Sequence, residues 1–364
     1  MAEHATVVIG GAGVVGGHVA RLLAQDGHRV LVSSRRLTTA AAAARSIEGA
    51  EPVVVDTDDP RWSLPDDAGL VIDCTGSGRL EVAQAAAAAG ADLIDTTASS
   101  GHIASLEELD QAFASSGCRL LSSVGLAPGL SSVLANTVHR SEHPESILVQ
   151  GVLDTRDEYG PGSTAFTLGK VGTEFADPAT GERVRNYSGL TRPRLPAGFG
   201  RCLLGRVDFP DQYTLGSDLG VPVTTHYGFT NEVITAALAV LTRIRRARRA
   251  LERVTSLIPE PTGTGPWLIT AGTARRRVWA TGTGQAYGTA VVTRLAARLL
   301  AGGGITPGHH RLYRHLALDP ATIADLAEYG IAIAFDHHQL DPTRTIFGRQ
   351  IAASASAAER DSTQ

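Results

Sequence analysis

A glycine-rich turn between an apolar strand and an amphipathic helix constrains the fold of this 364-residue chain more than any other feature. The sequence 11–16 reads GAGVVG and joins the apolar stretch 6–10 to the helical pattern 13–25. Gly11 permits a tight turn, Gly13 lets the backbone approach a pyrophosphate, and Gly16 allows close packing of helix on strand. The N–H groups of the first helical turn, which holds Val14 and Val15, favour phosphate oxygens. The turn therefore predicts a dinucleotide site.

Strand and helix patterns alternate through the first 135 residues. Several predicted strands, such as VVIG and LVI, are apolar throughout, as strands covered on both faces should be. Strands joined through helices indicate a parallel, doubly wound sheet, so we predict an α/β fold that begins with a Rossmann domain. After the first strand and helix, the predicted strands are 29–33, 52–56, 70–74, 91–95 and 119–124, and the helices are 38–48, 79–89 and 105–116.

The end of the second predicted strand indicates which dinucleotide is bound. NAD enzymes usually carry a carboxylate there to hold the ribose 2′-hydroxyl. This chain has Ser33, Ser34, Arg35 and Arg36 instead. A hydroxyl and two guanidinium groups favour a 2′-phosphate, which predicts NADP as the cofactor. The alternative is that these arginines are solvated loop residues, which we expect of one of them.

Five stretches, in order along the chain, resemble the saccharopine dehydrogenase-like family. They are GGAGVVGGHVARLLAQDGHRVLVSSRR (10–36), VVVDTDD (53–59), LVIDCTG (70–76), AGADLIDTTA (89–98) and SSVGLAPGLSSVLA (122–135). A weaker likeness lies in residues 284–308. The chain departs from the family at CTGSG (74–78), which replaces the Asn-rich, proline-containing turn that is frequent in relatives.

The resemblance implies a layout and a reaction type. A second α+β domain built on a mixed sheet would occupy residues 136–283, and helices of residues 284–352 would pack back on a first domain of residues 1–135. Many members change C–N bonds, and a homodimer is expected. Asp56 would lie near the adenine, Thr75 and Gly76 near the nicotinamide ribose. The loop with Gly125, Pro128 and Gly129 would approach the reacting end of the cofactor and the substrate.

The second half of the sequence is less regular. We predict a strand over 147–154, a substrate-covering loop region over 155–200, short strands over 213–227, one long helix over 231–256 and a frayed tail over 353–364. The candidates for proton transfer are Lys170, His226 and Tyr227. Lys170 is the only lysine among 33 basic residues. The structural alternative for each candidate is a surface residue, or a core residue whose polar atoms are hydrogen-bonded.

Two further arginines, Arg192 and Arg194, are candidates for binding a substrate carboxylate, since a guanidinium group can hold one in a bidentate manner. The same structural alternative applies to both. No metal is predicted, because His309-His310 and His337-His338 are adjacent pairs that point their rings apart.

Charge and composition argue against other partners. A net charge of −4 gives no general attraction for nucleic acid, and we interpret the arginine-rich run 243–249 as a solvated helix face. Three scattered cysteines and the lack of a leader or a long apolar run predict a cytoplasmic protein with no membrane partner.

These features lead to one main hypothesis and two alternatives. The main hypothesis is an NADP-dependent oxidoreductase that acts on the C=N or C–N bond of a small amino-acid-like substrate. The alternatives are a trans-acting enoyl (C=C) reductase and a non-catalytic NADP-binding sensor. The fold itself cannot discriminate among them. An enoyl reductase of long acyl chains would need an apolar, aromatic-rich second domain, whereas the arginine-rich sequence there favours a polar substrate.

Overall fold

A computed structural model describes residues 4–244, 263–273 and 276–337, in which two seven-stranded sheets lie side by side. The first sheet has the order β3-β2-β1-β4-β5-β6-β17, and all its strands are parallel. This order confirms the predicted doubly wound Rossmann sheet. Its strands are β1 Ala5–Ile9, β2 Val30–Ser34, β3 Glu51–Val54, β4 Ala68–Asp73, β5 Asp92–Asp95, β6 Arg119–Ser122 and β17 Gly308–Arg311.

The strand order places a crevice at one edge of this sheet. From β1 the chain moves outward to β2 and β3, and then returns to place β4 on the other side of β1. Loops that leave the carboxyl ends of β1 and β4 therefore diverge and leave a binding crevice between them. The helices of this part are α1 Val14–Gln25, α2 Leu37–Ala44, α3 Glu81–Ala89, α4 Ser100–Glu107, α5 Asp110–Ser116 and α6 Ser131–Glu142.

The second sheet is mixed, as the family resemblance implied. Its order is β10-β13-β14-β7-β15-β16-β18, with β7 and β14 parallel and the other neighbours antiparallel. Its strands are β7 Ile147–Leu153, β10 Ser188–Thr191, β13 Leu204–Arg206, β14 Val223–Phe229, β15 Pro266–Gly272, β16 Arg276–Thr283 and β18 Ala332–His337. Two hairpins flank it, β8 Glu174–Ala176 with β9 Arg183–Arg185, and β11 Arg194–Leu195 with β12 Gly200–Arg201.

Several predicted elements differ from those observed. Residues 213–227, predicted as strands, begin inside a helix, α8 Pro210–Leu219. Pro210 in its first turn and Gly220 with φ 66° just beyond its end are the usual helix start and stop signals. Residues 105–116 form parts of two helices, and residues 155–200 contain a helix, α7 Pro161–Gly169. The remaining helices are α9 Glu232–Leu241, α10 Gln285–Ala301 and α11 Pro320–Glu328, and residues 312–314 form one helical turn.

Some predictions fall outside the described residues. These are the second half of the 231–256 helix, most of the arginine-rich run 243–249, His338 and the tail 353–364.

The C-terminal segment ties the two sheets together. It contributes β17 to the first sheet and β18 to the second, while α10, which precedes both strands, packs against α1 within one core cluster. The buried guanidinium of Arg294 in α10 bonds to Asp26, just after α1, and to Asp325 in α11, both at 3.0 Å. The domain boundaries at 135 and 283 remain predictions. Across the described part of the chain, every helix is too short or too polar to span a bilayer.

Candidate functional site

A cavity of about 790 Å³ opens at the carboxyl ends of the first sheet and extends to the second sheet. Its first half is lined by the loops that follow β1, β2, β3, β4 and β5. Its second half is lined by β14, α7, the segment before α8, and the start of α10. The cavity thus begins at the topological switch point, where open α/β sheets bind their ligands. Its size is that of a small-molecule site.

The glycine-rich turn is built so that side chains are excluded. A Cβ on Gly16 would lie 2.3 Å from the Gly10 carbonyl oxygen, and one on Gly11 would lie 2.8 Å from the Val8 carbonyl oxygen. The Gly10 N–H donates to the Ser33 hydroxyl at 3.2 Å, which braces the turn against β2.

The phosphate-facing residues of the turn lie on the cavity wall. Gly13, Val14 and Val15 line the cavity, and α1 begins at Val14. The N–H groups of a first helical turn have no preceding carbonyl within the helix to bond. The pyrophosphate predicted at this turn would meet these free N–H groups.

The predicted adenine end contains some of the expected residues and one that sequence reasoning missed. Ser34 and Arg35 line the cavity, whereas Arg36 is the residue that precedes α2 and lies outside the lining. Asp56 is also outside it, and its carboxylate accepts the Asp58 N–H at 3.1 Å, which shapes the turn. Arg79, on the loop between β4 and α3, lines the cavity and was not predicted.

Two buried carboxyl groups hold the loops at the middle of the cavity. Asp73 accepts the Thr75 N–H at 2.8 Å and the Thr75 hydroxyl at 2.7 Å, while Asp95 accepts the Thr97 N–H at 2.9 Å. His102 Nε2 lies 3.0 Å from Asp95. Burial and the neighbouring Asp95 raise the pKa of Asp73 to about 6. Thr75 and Gly76 both line the cavity, at the place where the resemblance puts the nicotinamide ribose.

The loop after β6 lies between the two halves of the cavity. Leu126 and Ala127 line it, while Gly125, Pro128 and Gly129 are buried behind them. Gly129 has φ 135°, and a Cβ there would lie 3.1 Å from the Ser123 carbonyl oxygen, so glycine is required for this turn. The three predicted residues therefore shape the cavity wall rather than form its surface.

Three aromatic rings form one side of the second half, and we refer to Phe166, Phe209 and Tyr227 as the aromatic wall. Phe209 and Tyr227 are stacked, with ring centroids 4.3 Å apart and planes 13° apart, and Phe166 meets Phe209 edge to face at 5.1 Å. Tyr227 packs on Gly151 of β7 so closely that a Cβ there would lie 2.1 Å from Tyr227 Cε1. The rest of this half is also mainly apolar, with Leu153, Val207, Phe229, Leu238 and Ile269.

Helix α7 covers the cavity from the side of the second sheet. A Cβ on Gly160 would lie 3.8 Å from Val14 Cβ, and one on Gly162 would lie 3.8 Å from the Thr75 carbonyl oxygen. The start of α7 therefore reaches across to the glycine-rich turn and to the loop after β4. Residues 155–200 were predicted to cover the substrate. Part of this region is thus the helix α7, which begins within contact distance of the predicted cofactor site.

Of the three predicted proton-transfer residues, the structure places Tyr227 in the cavity lining. His226 precedes Tyr227 on β14, and successive strand residues point to opposite faces of a sheet, so its ring faces away. Burial and Arg206 lower the pKa of His226 to about 4. Lys170 Nζ donates to Asp208 at 2.6 Å and lies 5.0 Å from the Phe166 ring centre, outside the lining residues.

The two predicted carboxylate-binding arginines lie outside the cavity lining, and both are exposed. Arg192 is paired with Glu232 through bonds of 3.0 and 2.8 Å. Arg194 lies on the β11–β12 hairpin. Among the described residues that line the cavity, the charged side chains are Arg35, Asp58 and Arg79, all at the predicted adenine end.

Histidine, cysteine and carboxylate side chains are the groups that most often bind metal ions in proteins. Within residues 4–244, 263–273 and 276–337, no three of them come together as a metal site would require. His309 Nε2 instead lies 2.8 Å from the Ser122 hydroxyl. The three cysteines are free thiols, and burial raises the pKa of Cys74, beside the cavity.

Comparison with known proteins identifies the first domain. Residues 6–121 match the model of the saccharopine dehydrogenase NADP binding domain. No curated protein matches the chain.

Two solved structures of similar extent are a meso-diaminopimelate dehydrogenase mutant from Clostridium tetani and an amine dehydrogenase from Mycobacterium smegmatis. The first is 14% identical, covers 90% of this chain and 99% of its own, and has a TM-score of 0.46. The second is 11% identical, covers 87% of this chain and 97% of its own, and has a TM-score of 0.47.

The matched region contains the glycine-rich turn, the β2 end and the loops after β4 and β5. The predicted cofactor-binding residues of the first sheet therefore all lie within the matched region. The match supports the prediction of an NAD(P)-dependent oxidoreductase that is similar to the saccharopine dehydrogenase family over residues 6–121 and uses NADP.

Proposed function

We propose that this protein reduces an unsaturated bond of a largely apolar substrate with NADPH, and that the substrate occupies the half of the cavity beside the aromatic wall. The observation that carries this proposal is the distribution of charge in the cavity. Its charged lining residues, Arg35, Asp58 and Arg79, lie at the adenine end, while the opposite end is aromatic and aliphatic. An apolar substrate is stabilised there by burial of its surface, at about 25 cal/mol per Å².

The residues of the first half would hold the cofactor. The turn from Gly11 to Gly16 would hold the pyrophosphate, and Ser34 with Arg35 the 2′-phosphate. Thr75 and Gly76 would lie along the nicotinamide ribose. NADPH supplies the hydride when bound, so the protein has to orient the substrate, exclude water and provide a proton.

The apolar lining bears on the alternatives predicted from sequence. An amino-acid-like substrate carries a carboxylate, and a buried carboxylate needs a cationic or multiply hydrogen-bonding partner. Arg192 and Arg194 were expected to provide it, but they lie outside the cavity lining. Reduction of a C=C bond in an acyl substrate matches the aromatic wall better and is our preferred reaction. Turnover of a C=N bond stays the second prediction and is an outcome of the test below.

Tyr227 is our candidate for the proton donor. It is the predicted proton-transfer residue that lines the cavity, and its hydroxyl is buried near Ser131 and Asp211. Burial and the nearby Asp211 raise the pKa of Tyr227 well above its usual value, so the phenol keeps its proton at neutral pH. Two other tyrosines of the lining, Tyr159 and Tyr187, donate instead to backbone carbonyls at 2.7 and 2.9 Å.

The proposal is tested by following the loss of NADPH absorbance with three substrate sets. One set contains enoyl thioesters of increasing chain length, one contains 2-oxo acids with ammonia, and one contains apolar aldehydes with amines. We expect turnover of the enoyl set and a KM that falls as the chain lengthens. Turnover restricted to 2-oxo acids with ammonia would overturn the apolar-substrate proposal.

The role of Tyr227 is tested on the substrate so identified. Replacement of a general acid lowers kcat by about 100-fold or more, so we expect this of Tyr227→Phe, with the Kd of NADPH unchanged. His226→Gln, which changes the neighbouring residue on the opposite face, is the matched control and should stay within about threefold. Equal effects of the two substitutions would contradict proton donation by Tyr227.

We also propose a homodimer formed through the second sheet. A groove of about 910 Å³ lies on this sheet, and Leu148, Gln150 and Thr270 are among its lining residues. Leu148 is 36% exposed, although the other residues of the central strand β7 are buried or half-buried. Light scattering after gel filtration should give a dimer mass, and Leu148→Arg should give a monomer. A monomeric unmodified protein at micromolar concentration would refute this interface.

A further inference from the structure

Two arginines on different loops converge on one carboxylate at the predicted adenine end of the cavity. Arg35 follows β2, and its Nη1 lies 3.7 Å from Asp58 Oδ2. Arg79 lies on the loop between β4 and α3, and its Nη1 lies 2.6 Å from Asp58 Oδ1. All three residues line the cavity. The Asp58 carboxylate therefore occupies a position between two guanidinium groups that suits an anion.

We propose that Arg79 is a second ligand of the NADP 2′-phosphate, together with Arg35, and that Asp58 competes with this phosphate for both arginines. The inference rests on the proposed cofactor orientation, with the adenine end beside β2. It adds a residue that neither the sequence motif nor the match over residues 6–121 assigns to the phosphate.

The geometry favours Arg79 over Arg36 for this role. Arg36 is the residue before α2 and is absent from the lining, so its position in sequence does not bring it to the cavity. The Arg79 guanidinium is fixed at a second point, because Nη1 also donates to the Thr57 carbonyl oxygen at 3.2 Å. A partly fixed guanidinium loses less conformational freedom when it binds a phosphate than a free one does.

Asp58 is able to leave the position between the arginines. Its side chain is 54% exposed, and its bonds to Arg35 and Arg79 are the ion pairs that a bound phosphate would replace. A phosphate carries more charge than a carboxylate and binds guanidinium groups strongly. If Asp58 instead stays close to the bound phosphate, the two anions repel each other. The charge of Asp58 therefore opposes NADPH binding whether the carboxylate is displaced from the arginines or stays beside them.

The experiment measures the Kd of NADPH and NADH by calorimetry, and that of adenosine 2′,5′-bisphosphate and AMP as fragments that differ in the 2′-phosphate. For Arg79→Gln we expect the Kd of NADPH and of the bisphosphate to rise about tenfold or more, while those of NADH and AMP stay within about twofold. For Asp58→Asn we expect the Kd of NADPH to fall about threefold or more, again with NADH unchanged.

Arg61→Gln is the matched control, since this arginine lies in the same region, is 88% exposed, and pairs with Asp59 outside the cavity lining. It should leave all four Kd values within about twofold. Retained NADH binding shows that the variants are folded.

The possible results separate this inference from the proposed function. An equal loss of NADPH and NADH binding in Arg79→Gln, or no loss of either, would overturn the role of Arg79. An unchanged or weaker NADPH affinity in Asp58→Asn would overturn the competition by Asp58. Failure of the unmodified protein to prefer NADPH over NADH would instead overturn the proposed cofactor site as a whole, whatever the variants do.

Discussion

Gly151 in β7 gives the sharpest test of the aromatic wall, because it makes room for the ring of Tyr227. The two residues are direct neighbours in the β7–β14 pairing. A methyl group on Gly151 would lie 2.1 Å from Tyr227 Cε1 and 2.4 Å from Cδ1. Carbon atoms pack at about 3.5–4.0 Å, so in Gly151→Ala the ring has to move by more than about 1 Å. The stacked ring of Phe209, 4.3 Å away, opposes movement toward it.

The expected cost follows from these contacts. Overpacking of a buried site destabilises by about 1–3 kcal/mol. Alanine in a strand interior is otherwise favoured over glycine by about 0.5–1 kcal/mol. We therefore expect Gly151→Ala to lower the free energy of unfolding by about 1–2 kcal/mol. In a Tyr227→Leu background the methyl group has space, so the same substitution should cost less than about 0.5 kcal/mol.

Urea unfolding of the four proteins in this double-mutant cycle measures the coupling between Gly151 and Tyr227. Gly162→Ala, in α7, is the matched control, since a Cβ there meets its nearest atom at 3.8 Å and alanine favours the helix by up to about 1 kcal/mol. The Kd of NADPH should stay the same in Gly151→Ala, Tyr227→Leu and the double variant, because the wall lies in the substrate half. Additive effects of Gly151→Ala and Tyr227→Leu would refute the packing described for the aromatic wall.

Three further predictions address the glycine-rich turn, the core and the pH dependence of stability. Gly16→Ala places a methyl group 2.3 Å from a backbone oxygen and should raise the Kd of NADPH about tenfold or more. In the control Gly17→Ala the nearest atom is 3.6 Å from the new methyl group, so the Kd should change less than about threefold. Similar Kd values for the two variants in a binding titration would contradict this account of the turn. Arg294→Met leaves two carboxylates without their buried partner and should lower the free energy of unfolding in urea by about 3 kcal/mol. The control Arg298→Met removes a side chain that is 53% exposed and should lower it by less than about 1 kcal/mol. An unchanged free energy of unfolding in Arg294→Met would contradict the role of the buried ion pairs. Burial raises the pKa of Asp211 to about 6 in the folded protein. The folded state therefore keeps a proton that the unfolded state releases above about pH 4. Folding stability is consequently lower, by on the order of 3 kcal/mol, once the pH has risen through 6 than it is below pH 4. Asp211→Asn should therefore flatten the dependence of unfolding free energy on pH between about pH 4 and 6, and an unchanged slope would show that Asp211 is ionised in the folded protein.

The parts of the molecule that sequence predicted well are those set by local rules. The turn from Gly11 to Gly16 depends on backbone constraints within a few residues, and the match over residues 6–121 confirms the domain around it. Strands β1 and β2 of the first sheet show the nearly continuous burial expected of parallel strands, and β1 is buried at every position, whereas the edge strand β3 is largely exposed.

The parts that sequence could not predict depend on distant chain segments. His226 and Tyr227 are adjacent, and the sequence does not show which of the two faces of β14 borders the cavity. Arg79 comes to the adenine end because β4 lies next to β1, a fact of topology rather than of spacing. The aromatic wall brings together Phe166 and Phe209, which lie 43 positions apart in the sequence and meet at 5.1 Å. For α8 a signal was present, since Pro210 and Gly220 bracket it as start and stop.

The position of β17 at the edge of the first sheet has a consequence for synthesis on the ribosome. Residues 308–311 pair with β6, at residues 119–122, so the sheet that begins at Ala5 is completed by a strand near the end of the described chain. While the intervening residues are being translated, β6 is an unpaired edge, and exposed edges invite pairing with other chains. At about 5–20 residues per second, this interval lasts on the order of ten seconds or more. The nascent chain therefore has to protect an incomplete Rossmann sheet for that time, and a fragment that stops near residue 135 keeps this edge permanently.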